Sequence, residues 1–318
     1  MAYYLRDDIE RMMELSISDL YRLSNSKYKH YRLISIPKKN GEMRDLTVPD
    51  HELKMIQNKI YNCFLKAVRL SPRAKAYVNG GSTYKNAVHH RGKAMILKLD
   101  IRHFFDNILY SHVKDRVFGP DQYDEKTRVL LTELCTYEGH LAQGAPTSPV
   151  ISNVVMTRFD MEIGKWCDRM SVDYTRYCDD MTFSGTFDPS LIIFKVECEL
   201  GKMGLNLNSS KTKVIMQGQQ MNVTGIIVNN KIRVPATYRR DIRQEMYFIK
   251  KYGITDHLYH RRITCDCESY KRKLLGRINY VLTINRHDEE MLEYRKILLD
   301  MDKDTLRKSV QMSIFDFM

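Results

Sequence analysis

A chain of 318 residues with 43% apolar side chains is long enough for a sizeable core, in one large domain or several subdomains. Lysine and arginine outnumber aspartate and glutamate by 51 to 39, a formal charge of +12 spread along the chain, which points first to a polyanion as partner and only second to an anionic membrane surface. No run is apolar enough to span a bilayer as a helix, Asp7 and Asp8 stand where a signal peptide would be apolar, and the seven cysteines are mostly isolated, which favours reduced thiols, so a cytoplasmic location is expected.

Residues 9–23 have loose helical spacing of apolar side chains. Residues 31–37 and 43–49 read as the arms of a hairpin around Lys38-Lys39-Asn40-Gly41, because an Asn-Gly pair tolerates the positive φ of tight turns. Asp50 is placed to cap a helix carrying Leu53, Ile56, Ile60, Phe64 and Leu65. Residues 94–100 form an apolar run ending on an acid, the pattern of a buried strand. A Gly/Pro-rich loop over 141–149 precedes a helix over 150–159. Residues 172–183 read as strand–turn–strand, 190–203 as a helix, and 214–216 and 223–228 as short strands. From Thr237 onward the pattern is helical and strongly basic. Strands in the middle with helices on the flanks predict an α+β fold.

The sharpest local feature is Tyr177-Cys178-Asp179-Asp180 within an otherwise apolar, β-prone run. Adjacent carboxylates that are partly buried repel each other and are costly to desolvate. Protonating one of them, or placing a divalent cation between them, removes that cost; a solvated Asp-Asp turn is the plainer alternative. At a hairpin tip both side chains can turn toward one ion, and hard oxygen ligands suit Mg²⁺, which shares its shell with water and substrate phosphates. Asp100, ending a separate strand, adds a third carboxylate, enough for a two-ion site of the kind used in in-line phosphoryl transfer, or else a helix cap. Asp106 reads as a cap or turn residue. In the 141–149 loop, glycine and two prolines fix the backbone and small residues let another group approach it closely. The free N–H groups of the helix behind it can face phosphate or a base. Cys265 and Cys267 follow His257 and His260, but Cys-x-Cys is atypical for zinc and reads as ordinary loop.

Taken together, Leu99-Asp100 with Phe104-Phe105-Asp106, Ala142-Gln143-Gly144-Ala145-Pro146-Thr147-Ser148-Pro149, Tyr177-Cys178-Asp179-Asp180, and Gly204-Leu205-Asn206-Leu207-Asn208 leading to Lys211 resemble the motifs of reverse transcriptases in order and spacing. The resemblance runs from about Ile36 to the 275–280 segment. It implies a right-hand polymerase fold: an N-terminal region and fingers over 1–95, a ferredoxin-like palm over 96–235 with a fingers insertion around 110–145, and a helical thumb over 236–318. It implies that Asp100, Asp179 and Asp180 are catalytic and, with the backbone carbonyl of Ile101, bind two Mg²⁺ ions, Mn²⁺ being a possible substitute. Phe105 would be the steric gate under the sugar of the incoming dNTP, and Gln143 would line the nucleotide and template pocket. Arg44 would hold the triphosphate, and Lys211 would stand near the phosphates as an acid for pyrophosphate. Without the motifs around them, Phe105 would read as core, and Arg44 and Lys211 as solvated surface.

Asn86-Ala87-Val88-His89-His90 and Val223-Thr224-Gly225 further resemble the signatures of the retron type. That resemblance implies an RNA-directed DNA polymerase with a cognate structured non-coding RNA as template and primer. DNA would start from an internal guanosine 2′-hydroxyl and form a branched RNA-linked single strand (msDNA). It also implies a role in antiphage defence beside an effector or toxin protein, in the bacterial cytoplasm and away from membranes. Asn86 and His90, otherwise a helix cap and a satisfied histidine, would shape an RNA-facing surface. Arg239, Arg240, Arg243, Lys271, Arg272, Lys273 and Arg277, otherwise a solvated face, would track the phosphates of the template–primer duplex. Cys178 stands where most bacterial relatives have alanine; being small and apolar, it should change little. A group II intron or diversity-generating reverse transcriptase is the neighbouring alternative, and a catalytically silent RNA-binding scaffold the distant one.

Overall fold

A computed structural model describes residues 3–37 and 41–301. The N-terminal apolar stretch makes two helices rather than the single one its spacing suggests. Helix α1 (Arg6–Met13) stops at Glu14, which turns left-handed at φ 52°, and Ser16 starts α2 (Ile17–Ser26) by accepting a hydrogen bond from the Asp19 amide. The hairpin forms as its pattern predicts. Strands β1 (Tyr31–Pro37) and β2 (Met43–Pro49) pair from Tyr31↔Pro49 to Pro37↔Met43. Its turn residues 38–40 lie outside the described residues, while Gly41 takes φ +86°. Asp50 caps α3 (His51–Ile60), its carboxylate accepting from the Leu53 amide at 3.0 Å. The helix runs on through a π-type turn (Tyr61–Leu65), and all five expected apolar residues are buried.

After the short helix α4 (Thr83–Val88) comes β3 (Met95–Asp100), then α5 (Tyr110–Arg116), α6 (Glu125–Cys135) and α7 (Ser148–Arg169). Strands β4 (Asp173–Tyr177) and β5 (Asp180–Gly185), helix α8 (Pro189–Gly201) and strand β6 (Lys213–Met216) complete a four-stranded antiparallel sheet of order β4-β5-β3-β6. Strand, helices, two strands, helix and strand in that chain order, with the sheet order β4-β5-β3-β6, are the ferredoxin-like α+β arrangement expected for the palm.

Side chains alternate across a sheet. Leu97, Leu99, Met181, Phe183, Tyr174 and Arg176 therefore share one face, where Tyr174 reaches Asp160 on α7. Asp100, Asp180, Thr182, Ser184 and Thr175 share the other. Sequence periodicity thus puts the two paired acids Asp100↔Asp180 opposite the apolar layer, at the end of the sheet where β3 and β5 are last in register.

The chain divides into two compact units at Gln219/Gln220. The second begins with β7 (Asn222–Val223) and β8 (Ile226–Ile227). The expected single strand over 223–228 is instead a tight hairpin, because Thr224 and Gly225 both take positive φ and fold Val223 onto Ile226. Helix α9 (Ala236–His260) is interrupted at Gly253 (φ 83°, ψ 167°), and α10 (Cys267–Ile284) and a helical stretch over 289–301 follow. Ile242, Met246, Ile249, Leu274, Ile278 and Leu298 form this unit's own core. Among the described residues no helix is long and apolar enough to cross a membrane.

Candidate active site

The end of the palm sheet opens into a cleft of about 940 Å³. Arg44, Asp100, Ile101, Phe105, Gln143, Asp179, Asp180 and Lys211 all line it, so residues far apart in sequence meet at one surface. Each is placed by a local feature. Asp100 ends β3 and Asp180 begins β5 directly opposite it. The Ile101 amide donates to the Asp179 carbonyl at 3.1 Å, tying the turn between β4 and β5 to the end of β3. Arg44 stands exposed on β2 opposite Ile36. Gly144 lets the 141–149 loop lie against that hairpin: its amide donates to the Thr47 carbonyl at 3.0 Å, and a Cβ there would stand 2.6 Å from Val48 Cγ2 and 2.7 Å from the Thr47 oxygen. Gln143 is thereby carried to the cleft, where its side-chain amide donates to Asp106 Oδ1 at 3.3 Å. Phe105 is half-buried, edge-on to Phe104 at 5.5 Å between ring centres. Tyr177, part of the Tyr177–Asp180 motif, and Tyr77, which the sequence did not single out, also line the cleft; Tyr77 lies beside Cys178 in a left-handed conformation (φ 56°).

Electrostatics mark this cleft as a place for cations. Burial, then the neighbouring Asp100, raises the Asp179 pKa above the ordinary carboxylate value. Burial, then Asp179, pushes Asp180 up to about 6. The Lys211 ammonium sits 2.7 Å from Asp100 Oδ2; burial works against its charge, but this bond and the three nearby carboxylates raise its pKa. A cationic side chain thus already rests on the acid that the family pattern gives to a metal. The carboxylates are not closed around one point. Among the described residues no group of three or more His, Cys, Asp or Glu is gathered as a metal cluster, here or at Cys265 and Cys267. Hard carboxylate oxygens, two of them with raised pKa values, beside a displaceable ammonium nevertheless suit a divalent cation.

The structure corrects two expectations. Asn86 and His90 do not face RNA: they are 1% and 0% exposed. The Thr175 hydroxyl donates to Asn86 Oδ1 at 2.6 Å, so His90 Nε2 must donate to Thr175 Oγ1 (2.7 Å). His90 Nδ1 then accepts from the Ser184 hydroxyl at 2.7 Å, and the ring is neutral. The Asn-Ala-x-x-His pattern therefore fastens α4 to the middle of β4 and β5.

Burial, with His89, Lys93 and Lys75 nearby, brings the His90 pKa down from 6.5 to about 3. The unfolded chain takes up a proton below pH 6.5 that the folded chain refuses, so this contribution to stability is complete above 6.5 and shrinks as pH falls toward 3. Urea unfolding at pH 7.5 and pH 5 should show wild type losing about 2 kcal/mol more than His90→Gln. Equal losses would mean that the ring is not held neutral.

The second correction concerns the basic helices of the C-terminal unit. Lys271 is buried. Arg239 binds Asp288 and Glu290, Arg243 grips Glu290 through two nitrogens, and Arg277 binds Glu245 at 2.6 Å. The Arg243 hydrogen bonds hold Glu290 down to about 2 against the cost of burial, with Arg239 assisting. These arginines tie helices together, and of the seven basic residues only Arg240, Arg272 and Lys273 are exposed without such a buried or bidentate role.

Residues 36–228, more than half of the chain, match the family described as reverse transcriptase (RNA-dependent DNA polymerase). The retron Mx65 reverse transcriptase of Myxococcus xanthus is 27% identical over 316 residues, a match covering 91% of this chain and 70% of that protein. The retron Ec86 reverse transcriptase of Escherichia coli is 27% identical over 279 residues, covering 83% and 86%. Among solved structures, apo telomerase from Candida Tropicalis, truncated from its C-terminal domain, superposes with a TM-score of 0.43 at 17% identity, over 70% of this chain and 61% of that one. This chain belongs to the reverse transcriptase family, the RNA-directed DNA polymerases, and within it to the retron type.

Proposed function

We propose that this RNA-directed DNA polymerase copies one cognate structured RNA, which serves as template and primer, into a single-stranded DNA joined to that RNA through a 2′-hydroxyl. The observation that carries the catalytic part is the single cleft that brings Asp100, Asp179, Asp180, Phe105, Gln143, Arg44 and Lys211 together. Asp100, Asp179, Asp180 and the Ile101 carbonyl would hold two Mg²⁺ ions, or Mn²⁺ in their place. Such ions, when bound, activate the primer hydroxyl and stabilise the departing pyrophosphate. Lys211, now paired with Asp100, would be free to face the phosphates once a cation neutralised that carboxylate, and could donate a proton there. Arg44 holds the triphosphate, Phe105 meets the sugar edge, and Gln143, released from Asp106, contacts the nucleotide and template.

The Asn86–His90 and Val223–Gly225 motifs extend the proposed function to initiation from a 2′-hydroxyl on a dedicated RNA, a place in antiphage defence in the bacterial cytoplasm, and a partner effector protein. The test is to express the protein with its native locus and sequence the nucleic acid that purifies with it. A short DNA joined to RNA by a bond that resists 3′–5′ nucleases and yields to a debranching enzyme is expected. DNA starting from an ordinary 3′ end would overturn the retron-type initiation and leave the polymerase standing.

Grip on the duplex falls to the exposed cations. Arg240→Gln with Lys273→Gln should weaken binding of an RNA–DNA hybrid and lower the slope of log affinity against log salt by about 1–2. Thermal stability should not change. Arg239→Gln, which strips a partner from Asp288 and Glu290, should instead lower the melting temperature. An unchanged salt slope in the double variant would place the duplex elsewhere.

A further inference from the structure

Beneath the Asp179-Asp180 turn lies an ion pair sealed from solvent. The guanidinium of Arg176 and the carboxylate of Asp160 on α7 are both fully buried, joined by Nε to Oδ1 at 2.8 Å and Nη2 to Oδ2 at 2.7 Å. The Tyr174 hydroxyl donates to the same carboxylate at 2.8 Å. Burial disfavours charge on Arg176, and Asp160 more than offsets it, so the guanidinium stays charged. Core packing alone does not require this pair, because apolar side chains of similar volume fill such a space at least as well.

Its remaining donor shows what it does. Arg176 Nη1 donates at 2.9 Å to the carbonyl oxygen of Cys178, the residue before the two acids. Cys178 is held at φ +62°, a conformation that a side chain disfavours and that the surroundings must impose. The main chain at Arg176 is fixed as well, its amide donating to the Arg73 carbonyl and its carbonyl accepting from the Lys75 amide. On the opposite face of the same strand, Thr175 is held by Asn86 and His90. A strand clamped on both faces and along its edge thus presents one carbonyl, and through it one turn.

We propose that the Asp160–Arg176 pair, aimed by Tyr174, is a positioning device that sets the Cys178 peptide and so the direction in which Asp179 and Asp180 point into the cleft. The inference rests on those two acids being the metal-binding carboxylates.

The test removes the device while keeping the core filled. The triple variant Tyr174→Phe, Asp160→Leu, Arg176→Met leaves no unpaired charge, so its melting temperature should match or exceed that of wild type. Its kcat for dNTP addition to a primed RNA template should fall roughly 10- to 100-fold. Mn²⁺ affinity, read by electron paramagnetic resonance, should weaken about tenfold, while KM for the primed template stays within about twofold. Arg176→Lys, which keeps the charge but lacks the planar fork, should show the same split if the triple variant does not fold. A folded variant of either kind with wild-type kcat and Mn²⁺ affinity would reduce the pair to a structural role. Asp179→Asn is run alongside: if it retains both Mn²⁺ binding and activity, the metal assignment itself has failed, a result separable from failure of the brace.

Discussion

Replacing Asp179 or Asp180 with asparagine is expected to lower DNA synthesis on a primed RNA template at least about a thousandfold, the loss of roughly 4 kcal/mol of transition-state stabilisation. The folded protein should be as stable as wild type or more so. Both acids lie in a half-buried cleft where burial and a neighbouring carboxylate, Asp100 for Asp179 and Asp179 for Asp180, raise their pKa values. At neutral pH, in the absence of metal, each ionised carboxylate therefore works against the fold, and a neutral amide of the same shape relieves that repulsion. Circular dichroism melting and single-nucleotide incorporation separate the two effects. A variant that loses activity together with its fold would say nothing for a metal site; one that keeps near-normal incorporation would remove these residues from the chemistry.

The second large effect is expected at Phe105. Its ring is half-buried, braced edge-on by Phe104, and borders the cleft that Asp100 also lines. A rigid ring at the sugar edge selects deoxynucleotides by clashing with a 2′-hydroxyl, which is discrimination by an obstacle rather than by attraction. Phe105→Ala should raise the efficiency of ribonucleotide use relative to deoxynucleotide use by roughly 10- to 100-fold. Fold loss is not expected, because the ring is not part of the sealed core. If both efficiencies fall in proportion and their ratio stands still, the residue supports the loop and does not gate the sugar.

Much of this was legible in the sequence because it depends on local chemistry. The hairpin arms, the Asp50 cap, the strand ending on Asp100 and the paired acids at a turn each rest on a few neighbouring residues, and each appears in the structure. Breaks that depend on one residue adopting a left-handed conformation were missed: Glu14 splitting the first helix and Thr224-Gly225 folding a strand into a hairpin. Choice of partner was the larger gap. Arg243 stands 47 positions from Glu290, and Arg277 stands 32 from Glu245. Nothing in local pattern distinguishes an arginine spent on such a partner from one free to hold phosphate. His90 and Asn86 are the same case, since they meet Thr175 and Ser184 only once the sheet has formed. The Asp160–Arg176 pair is a further case: burial of both charges requires that they meet, but with Arg158 and Glu162 beside Asp160 nothing local marks it as the buried one.

The positions of Asn86 and His90 also change what their substitution should do. Side chains that fasten α4 to the sheet act through stability, so His90→Ala should reduce extension of a generic primer and synthesis on a cognate RNA by similar factors.

The most direct test of the whole account is a count of bound ions. Wild-type protein carrying a chain-terminated primer on an RNA template, with the matching dNTP, should take up two Mn²⁺ ions more than the same nucleic acid and nucleotide alone, measured by electron paramagnetic resonance. Asp100→Asn and Asp179→Asn should each lose at least one of them while still binding the primed template. Unchanged uptake of both ions in the two variants would contradict the assignment of the cleft as the metal site.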